Sequence, residues 1–482
     1  MALFVLIITP FVAALASLAV QRKVRPLEII AAVAALIEFG SVINIAETLF
    51  YNGHCKFGAY FSIDALGMIV LITVTLVGFA ASYYSIGYLR QEVAKKIIGF
   101  HRVKQYFVLF HLFQLAMFFA IITVNPIMMW IAIEATTLST AFLISFYNKP
   151  SAMEAAWKYL IINSVGLLLG FFGTLLFFTS ATLPAADTFV TWQTLLSNAA
   201  NLNPLLVKIA FIFVLIGYGT KAGLAPMHTW LPDAHSKAPS PISALLSGAL
   251  LNCALLAILK FKVITDAALG VAFSQKLLIF FGVISIAIPA FIIIVQKNYK
   301  RLFAYSSIEH IGIATLGFGF GGLGSFAALL HIIYHSLVKS ILFFSAGNIL
   351  LKYGSTKIDN VGGVLRALPV TGKVLFLGFL AVTGVPPFGI FLTEVYILTA
   401  GIADHPGIVI AALIFLALIF VGFLRFIAAM VFGKIVPPVV AGEVNYSTIV
   451  PPVALLAVLI TLGFYLPSPL VAWISTAAAL IH

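Results

Sequence analysis

Three titratable side chains recur at four-residue intervals in LLHIIYHSLVKSILFF, Leu329–Phe344: His331, His335 and Lys339. On an α-helix a step of four residues drifts only about 40°, so the three share one face over roughly 12 Å. Histidine takes up and releases protons near neutral pH. A buried lysine can be drawn toward the same range. The chemistry available to such a row is proton transfer along a helix. One histidine alone would more readily be an interhelical hydrogen-bonding group beside a snorkelling lysine. Three in register, with Lys339 near the middle of its apolar segment, favour the relay.

Other ionisable residues also stand in apolar surroundings: Glu134 in WIAIEATTLSTAFLI, Lys158, Lys221, Glu309, His310, Glu394 and Arg425, with His111 in the fourth apolar segment. A charge at the centre of a bilayer costs about 2.5–3.5 kcal/mol on insertion scales, so each needs a partner or a wet cavity. Two lie beside breaks in the chain. In GYGTKAGLAPMHTWLPDAHSKAPSP (217–241), Gly223 and Pro226 follow Lys221; in AVTGVPPFGIFLTEVYIL (381–398), Gly384, Pro386, Pro387 and Gly389 precede Glu394. Proline removes a backbone donor and breaks a helix. Irregular backbone survives at membrane depth only inside protein or beside water. Two interrupted segments in different halves of one chain point to an ion path. A plain kink would explain either break alone, but charge and break coincide twice. Glu134 is a lone carboxylate best kept protonated or paired with a lysine, and Lys221 and Lys158 are the candidates.

The elements that must position these groups are membrane helices. The chain has 482 residues, 62% hydrophobic and 9% charged, where a soluble protein carries about 25% charged residues. About fourteen apolar segments of spanning length follow one another almost end to end. The fold class expected is an all-α polytopic membrane protein. The net charge of +12 is a topology signal. With the N-terminus placed outside, the inside loops gather most of the basic residues: Arg22, Lys23 and Arg25; Arg90, Lys95, Lys96, Arg102 and Lys104; Lys297, Lys300 and Arg301; Lys352, Lys357, Arg366 and Lys373. The outside loops hold Lys56, Lys208, Lys260, Lys262 and Lys276. This bias puts both termini outside and argues against a nucleic-acid partner. The loop after the eighth segment, roughly 241–263, fits the bias least. No cleavable signal is expected, because Arg22 and Lys23 follow the first segment rather than precede it. Cys55 and Cys253 suit neither a metal site nor a disulfide. The Gly-rich GFGFGGLG (317–324) joins two apolar segments and reads as a membrane turn, not a nucleotide loop.

These motifs resemble one family over nearly the whole chain, from about the third segment to the thirteenth: the antiporter-like membrane subunits of respiratory complex I, group 4 membrane-bound [NiFe] hydrogenases and multisubunit Na⁺/H⁺ antiporters. The residues that carry the resemblance are IEATTLS with Glu134; TKAGLAPMHTWLPDAHSKAPSPISALLSG with Lys221; YKRLFAYSSIEHIG (299–312); the His-His-Lys row; and GVPPFGIFLTE. AAWKYLIINSVG (155–166) and YSSIEHIG are most similar to the hydrogenase-4 component F type. The resemblance implies about 14 transmembrane helices with two inverted five-helix repeats, each containing a broken helix. It implies helices 1–3 in residues 1–104, a first repeat in 105–264, a second in 265–433, and helix 14 with its tail in 434–482. It also implies a path in which Glu134 and Lys221 form a coupling ion pair, His331, His335 and Lys339 a central relay, and Glu394 the exit-side group. Lys158, His228, His235 and Glu309 are weaker carry-overs. Several relatives carry a lysine where Asn252 stands here, and some an acid near Leu167; the central role then falls on Lys339. The chain ends soon after the fourteenth segment, which implies a subunit other than the distal one built with a long lateral helix.

The function so implied is a proton- or sodium-translocating membrane subunit of a redox-driven complex. It would hold no cofactor itself. Its partners would be other membrane subunits, related antiporter-like ones among them, peripheral subunits carrying Fe–S, Ni–Fe or flavin groups, and lipids, in the inner (cytoplasmic) membrane. Two other classes compete. A self-contained cation/proton antiporter would transport by itself, and a non-transporting anchor would lose only stability when its charges were replaced.

Overall fold

The computed structural model describes residues 1–180, 189–437 and 439–481. The chain opens with α1 (Ala2–Ala19) and α2 (Val24–Asn52), then an antiparallel hairpin of β1 (Cys55–Phe57) and β2 (Phe61–Ile63), with Cys55 opposite Ile63. There follow α3 (Ala65–Ala94), α4 (Phe100–Ile122), α5 (Pro126–Ile144), α6 (Pro150–Ser180), the short α7 (Trp192–Ser197), α8 (Pro204–Ala222), α9 (Trp230–Lys237), α10 (Ser240–Leu245) and α11 (Leu251–Leu269). The second half holds α12 (Val271–Ile293), α13 (Tyr299–Phe320), α14 (Leu323–Tyr353), the short α15 (Val364–Ala367), α16 (Pro369–Val382), α17 (Gly389–Ile402), α18 (Pro406–Phe432), α19 (Val450–Phe464) and α20 (Ser468–Ile481).

Among the described residues, 12 passages are long and apolar enough to cross a membrane, with Pro204–Lys237 and Ser240–Leu269 each counted as one. The charged α13 and the interrupted α16–α17 passage bring the total to the expected number of about fourteen. The protein is an all-α polytopic membrane protein, and its seventh and twelfth passages are the broken ones. Local chemistry starts the helices where the sequence breaks. Asn125, Asn203 and Asn298 cap α5, α8 and α13 by accepting backbone N–H groups, and proline at the first turn of α5, α8, α16 and α18 leaves no donor to satisfy there.

Burial separates axis from perimeter. The most apolar window of α18 is 28% buried, that of α14 94%, and that of Ser240–Leu269 100%. α14 touches α3, α10, α13, α16, α17 and α19, so it is the central strut. Where α6 meets α8 the backbones touch: a Cβ on Gly217 would lie 2.2 Å from the Gly170 nitrogen. Only small residues permit such an approach between membrane helices.

One expected boundary is wrong. The eighth passage does not end near residue 263 with Lys260 and Lys262 in an outside loop; α11 runs on to Leu269. Lys260 pairs with Asp64 at 2.7 Å, and fully buried Lys262 pairs with Asp266 at 2.5 Å. Offset by a carboxylate one turn on, Lys262 can stay inside a helix that continues.

Candidate functional site

Lys221 sits in the last turn of α8, where unpaired carbonyls and the negative end of the helix dipole favour a cation. Gly223 ends that turn at φ +83°, its N–H on the Gly219 and Thr220 carbonyls, a conformation glycine adopts without penalty. The unwound backbone after it is satisfied from outside. Trp230 Nε1 donates to the Thr220 carbonyl at 2.9 Å, and the Ala225 N–H donates to Ser285 Oγ at 2.9 Å. Lys221 is fully buried. Its Nζ donates to the Tyr159 hydroxyl at 2.6 Å and to Thr137 Oγ1 at 2.9 Å.

Thr137 in turn donates to Glu134 Oε2 at 3.3 Å, and Ser164 donates to Glu134 Oε1 at 2.8 Å. Glu134 and Lys221 are therefore joined through one threonine hydroxyl, and the direct ion pair expected from the resemblance is not formed. The ammonium is held by Tyr159 of α6 and Thr137 of α5, which leaves it one hydroxyl short of the Glu134 carboxylate. Lys158, the other candidate partner, is turned away. It pairs with Glu154 at 2.5 Å, lies 3.6 Å from Asp233, and is half exposed.

Between the two halves the Ser240–Leu269 passage carries a π-turn, Leu246–Leu250. Such turns frequently mark functional stretches of a helix. Within it Ser247 bonds Ser307 at 2.7 Å. Just beyond, Asn252 Nδ2 donates to Ser336 Oγ at 2.8 Å, which ties α11 to α14 between His335 and Lys339.

His331, His335 and Lys339 are all fully buried on the face of α14 toward α13. Lys339 Nζ donates to the Phe303 carbonyl at 3.0 Å and to Ser306 Oγ. The row is not confined to one helix. His310 Nδ1 lies 3.0 Å from His331 Nε2, and the His310 ring centre is 5.4 Å from that of His335. His331 Nδ1 meets Thr393 Oγ1 at 2.8 Å, next to Glu394. His235 stacks on Phe343 of α14 with ring centres 5.0 Å apart. Glu309, 3% exposed, is buried on α13 beside His310.

The second break mirrors the first in its use of glycine. Gly384 turns at φ +63°, and a Cβ there would lie 2.2 Å from Glu394 Oε2. The carboxyl of α17 is thus laid against the interruption after α16. Pro226 and Pro386–Pro387 occupy the two interruptions, with the Ala225–Pro226 and Pro386–Pro387 bonds both cis. His228 stays in the first break, its ring centre 6.4 Å from that of Tyr305. Arg425 is exposed on α18. The residue that spacing left out of the row is His310: YSSIEHIG shows it beside Glu309, but its register with His331 depends on how α13 and α14 pack. Among the described residues no group of three or more His, Cys, Asp or Glu could hold a metal ion.

Fold and site together define a multi-pass membrane protein built around a buried line of proton-binding side chains and two broken helices. Residues 123–420 match the family described as NADH:quinone oxidoreductase/Mrp antiporter, TM, and residues 50–96 match NADH-Ubiquinone oxidoreductase (complex I), chain 5 N-terminus. The chain belongs to this family of antiporter-like membrane subunits. It is 41% identical over 352 residues to the hydrogenase-4 component F homolog of Methylacidiphilum infernorum (isolate V4), covering 72% of this chain and 74% of that one. Some other curated relatives, the hydrogenase-4 component B of Escherichia coli (strain K12) and the chloroplastic NAD(P)H-quinone oxidoreductase subunit 5 of Lemna minor, are longer, and the chain spans about half their length. Its fold is similar to a chain of the membrane-bound sulfane sulfur reductase, an archaeal respiratory membrane complex, with a TM-score of 0.87 at 22% identity over 99% and 97% of the two chains. It is similar also to a chain of the Mrp complex from Dietzia sp. DQ12-45-1b, with a TM-score of 0.86 at 17% identity over 99% and 96%.

Proposed function

We propose that this chain is the proton-translocating membrane subunit of a redox-driven respiratory complex, hydrogenase-type or complex I-like, and that it couples electron transfer to ion pumping. The observation that carries this reading is the set of ionisable groups at and between the two broken helices: half-buried Glu134 joined through Thr137 to buried Lys221 at the first, buried His310, His331, His335, Lys339 and Glu309 between, and half-buried Glu394 at the second. Its partners are other membrane subunits, related antiporter-like ones included, and peripheral redox subunits that carry the Fe–S, Ni–Fe or flavin groups. It sits in the inner membrane with both termini outside, as the loop lysines and arginines favour.

Movement in a neighbouring subunit closes Glu134 on Lys221 or parts them. Closing the pair stabilises both charges; parting it frees Lys221 to give up its proton toward the histidines, and the added charge drives a proton from Lys339 toward Glu394. Moving one charge against about 100 mV costs about 2.3 kcal/mol, about 1.7 powers of ten in proton affinity at 1.36 kcal/mol each. Burial and a neighbouring charge change the proton affinity of interior groups by up to about 3–5 powers of ten. One ion pair is large enough.

The test is proton translocation by the whole complex in liposomes. Lys339→Ala and Glu394→Ala are expected to cut pumping while the complex still assembles; full pumping in both would sink the relay. The likeness to the Mrp complex favours a second reading, cation/proton exchange. That reading predicts sodium-dependent proton movement by a complex with no electron donor added.

A further inference from the structure

Two cavities meet on the outer face of the N-terminal half. One, of about 660 Å³, is a groove between α1, α4 and α5, walled by apolar side chains such as Ile8, Phe11, Leu112, Phe119, Ile131 and Leu138. The other, of about 630 Å³, lies at the end where the basic loops gather, and His101, Arg102 and Lys104 line it together with Gln105 and Asn148. Leu109 and Phe142 line both, so a basic mouth and an apolar groove form one continuous surface. Along α4 the groove runs from Leu109 to Phe119, roughly 15 Å by helical rise. That is the depth of one leaflet in a hydrocarbon core about 30 Å thick.

The groove and its mouth ask for different chemistry. Among the described side chains of the groove, the hydroxyl of Ser139 is the one hydrogen-bond donor, and it is spent on the Ala135 and Thr136 carbonyls at 3.1 Å. The wall therefore offers nothing to a polar ligand. The mouth lacks negative charge. No carboxylate lines either cavity among the described residues, and neither Arg102 nor Lys104 forms an ion pair there. Arg102 Nη1 donates to Gln105 Oε1 at 3.1 Å, which leaves most of a five-donor guanidinium unused. Both residues stand at the start of α4, where the helix dipole favours an anion and opposes a cation.

We propose that the two cavities form one seat for an anionic phospholipid, with its phosphate between Arg102 and Lys104 beside His101 and one acyl chain in the groove between α1, α4 and α5. An alkyl chain asks no hydrogen bond of the wall, and burying it there removes apolar surface on both sides. A phosphate at the mouth supplies the missing charge and takes hydrogen bonds from the guanidinium. A free phosphate would leave the groove bare. An apolar helix of a partner would fill the groove but leave the mouth uncompensated. A zwitterionic headgroup would bring its own cation to a site that already has too many. None of the proton-path residues lines the seat, so the inference stands apart from the function proposed above.

The experiment uses the intact complex in detergent, with assembly checked by co-purification. Dioleoyl phosphatidylglycerol or dioleoyl phosphatidylcholine is titrated in, and bound lipid is counted by native mass spectrometry. Arg102→Gln with Lys104→Gln is expected to weaken binding of one phosphatidylglycerol about twenty-five-fold, at roughly fivefold for each basic residue beside an anionic lipid. Ala135→Phe, which fills the groove from α5, should remove the same single lipid. Phosphatidylcholine should be retained no better by the native complex than by the double variant. Leu112→p-benzoylphenylalanine should photo-cross-link to phosphatidylglycerol. Equal retention of phosphatidylglycerol by the native complex and both variants overturns the seat. Retention of phosphatidylcholine equal to that of phosphatidylglycerol overturns the role of the basic mouth. Loss in the charge variant alone, with inorganic phosphate competing, makes the mouth a phosphate surface and overturns the lipid. A cross-link from position 112 to a neighbouring subunit gives the groove to a protein helix and overturns it too.

Discussion

The two broken helices carry different chemistry around a similar turn. At the first, one acid and one base face each other across a single hydroxyl, and the acid lies toward the perimeter. Glu134 is half-buried on α5, whose Ile131, Leu138 and Phe142 are 49%, 56% and 65% exposed. At the second, the acid Glu394 lies against the turn itself, and the groups leading to it, His310, His331, His335, Lys339 and Glu309, are all buried. On the function proposed above, this pair would act as a switch between closed and parted arrangements, and its place near the surface would put it within reach of a neighbouring subunit. A run of imidazoles has no such preference. Each can hold or release a proton with little rearrangement, which suits transmission. The contrast is between a switch and a wire.

The largest expected effect would break the switch. Glu134→Gln and Lys221→Met should each nearly abolish pumping. If the pair acts as one unit, the double variant should be hardly worse than either single, since residues that work together are strongly non-additive. Pumping by complexes in liposomes, normalised to electron transfer, measures this. Additive losses would mean that the two groups act in separate steps.

Next comes the wire. His310→Gln and His331→Gln should each lower pumping about tenfold, toward the low end for a lost proton-transfer group, and again combine less than additively because they are bonded at 3.0 Å. A loss at His331 with none at His310 would confine the relay to α14 and remove the cross-helix step.

A smaller effect sharpens the comparison. Thr137→Val keeps the shape and removes the hydroxyl between Lys221 and Glu134. A hydrogen bond to a charged group is worth about 1.5–3 kcal/mol, so the balance between closed and parted pair should shift by roughly ten- to a hundredfold, at tenfold per 1.4 kcal/mol. Because Tyr159 and Ser164 still hold the two charges, pumping should fall only several-fold. A variant as inactive as Lys221→Met would make Thr137 itself a proton carrier.

What the sequence disclosed follows from range. His331, His335 and Lys339 share a face because helical periodicity is local, and the two breaks stand out because glycine and proline act on their own backbone. The spans follow from apolar length. What stayed hidden depends on packing between distant segments. The Thr137 bridge joins α5 to α8, the His310–His331 contact needs the register of α13 on α14, and the groove below Arg102 and Lys104 is assembled from α1, α4 and α5. The extension of α11 to Leu269 was hidden because Lys260 and Lys262 read as loop residues until Asp64 and Asp266 are seen beside them.

The smallest effect is expected at Lys158, a membrane-segment lysine that spacing alone ranks with Lys221. The two differ by their surroundings. Lys221 is fully buried and linked to Glu134 through Thr137; Lys158 is half exposed beside Glu154 and Asp233, and exposed pairs contribute little. Asp233 keeps Arg301 as a partner if Lys158 is removed. Lys158→Ala should therefore leave both pumping and assembly unchanged. A clear loss of pumping in a fully assembled complex would mean that Lys158 reaches Glu134 in another arrangement of the switch, and that the first break works with two lysines rather than one.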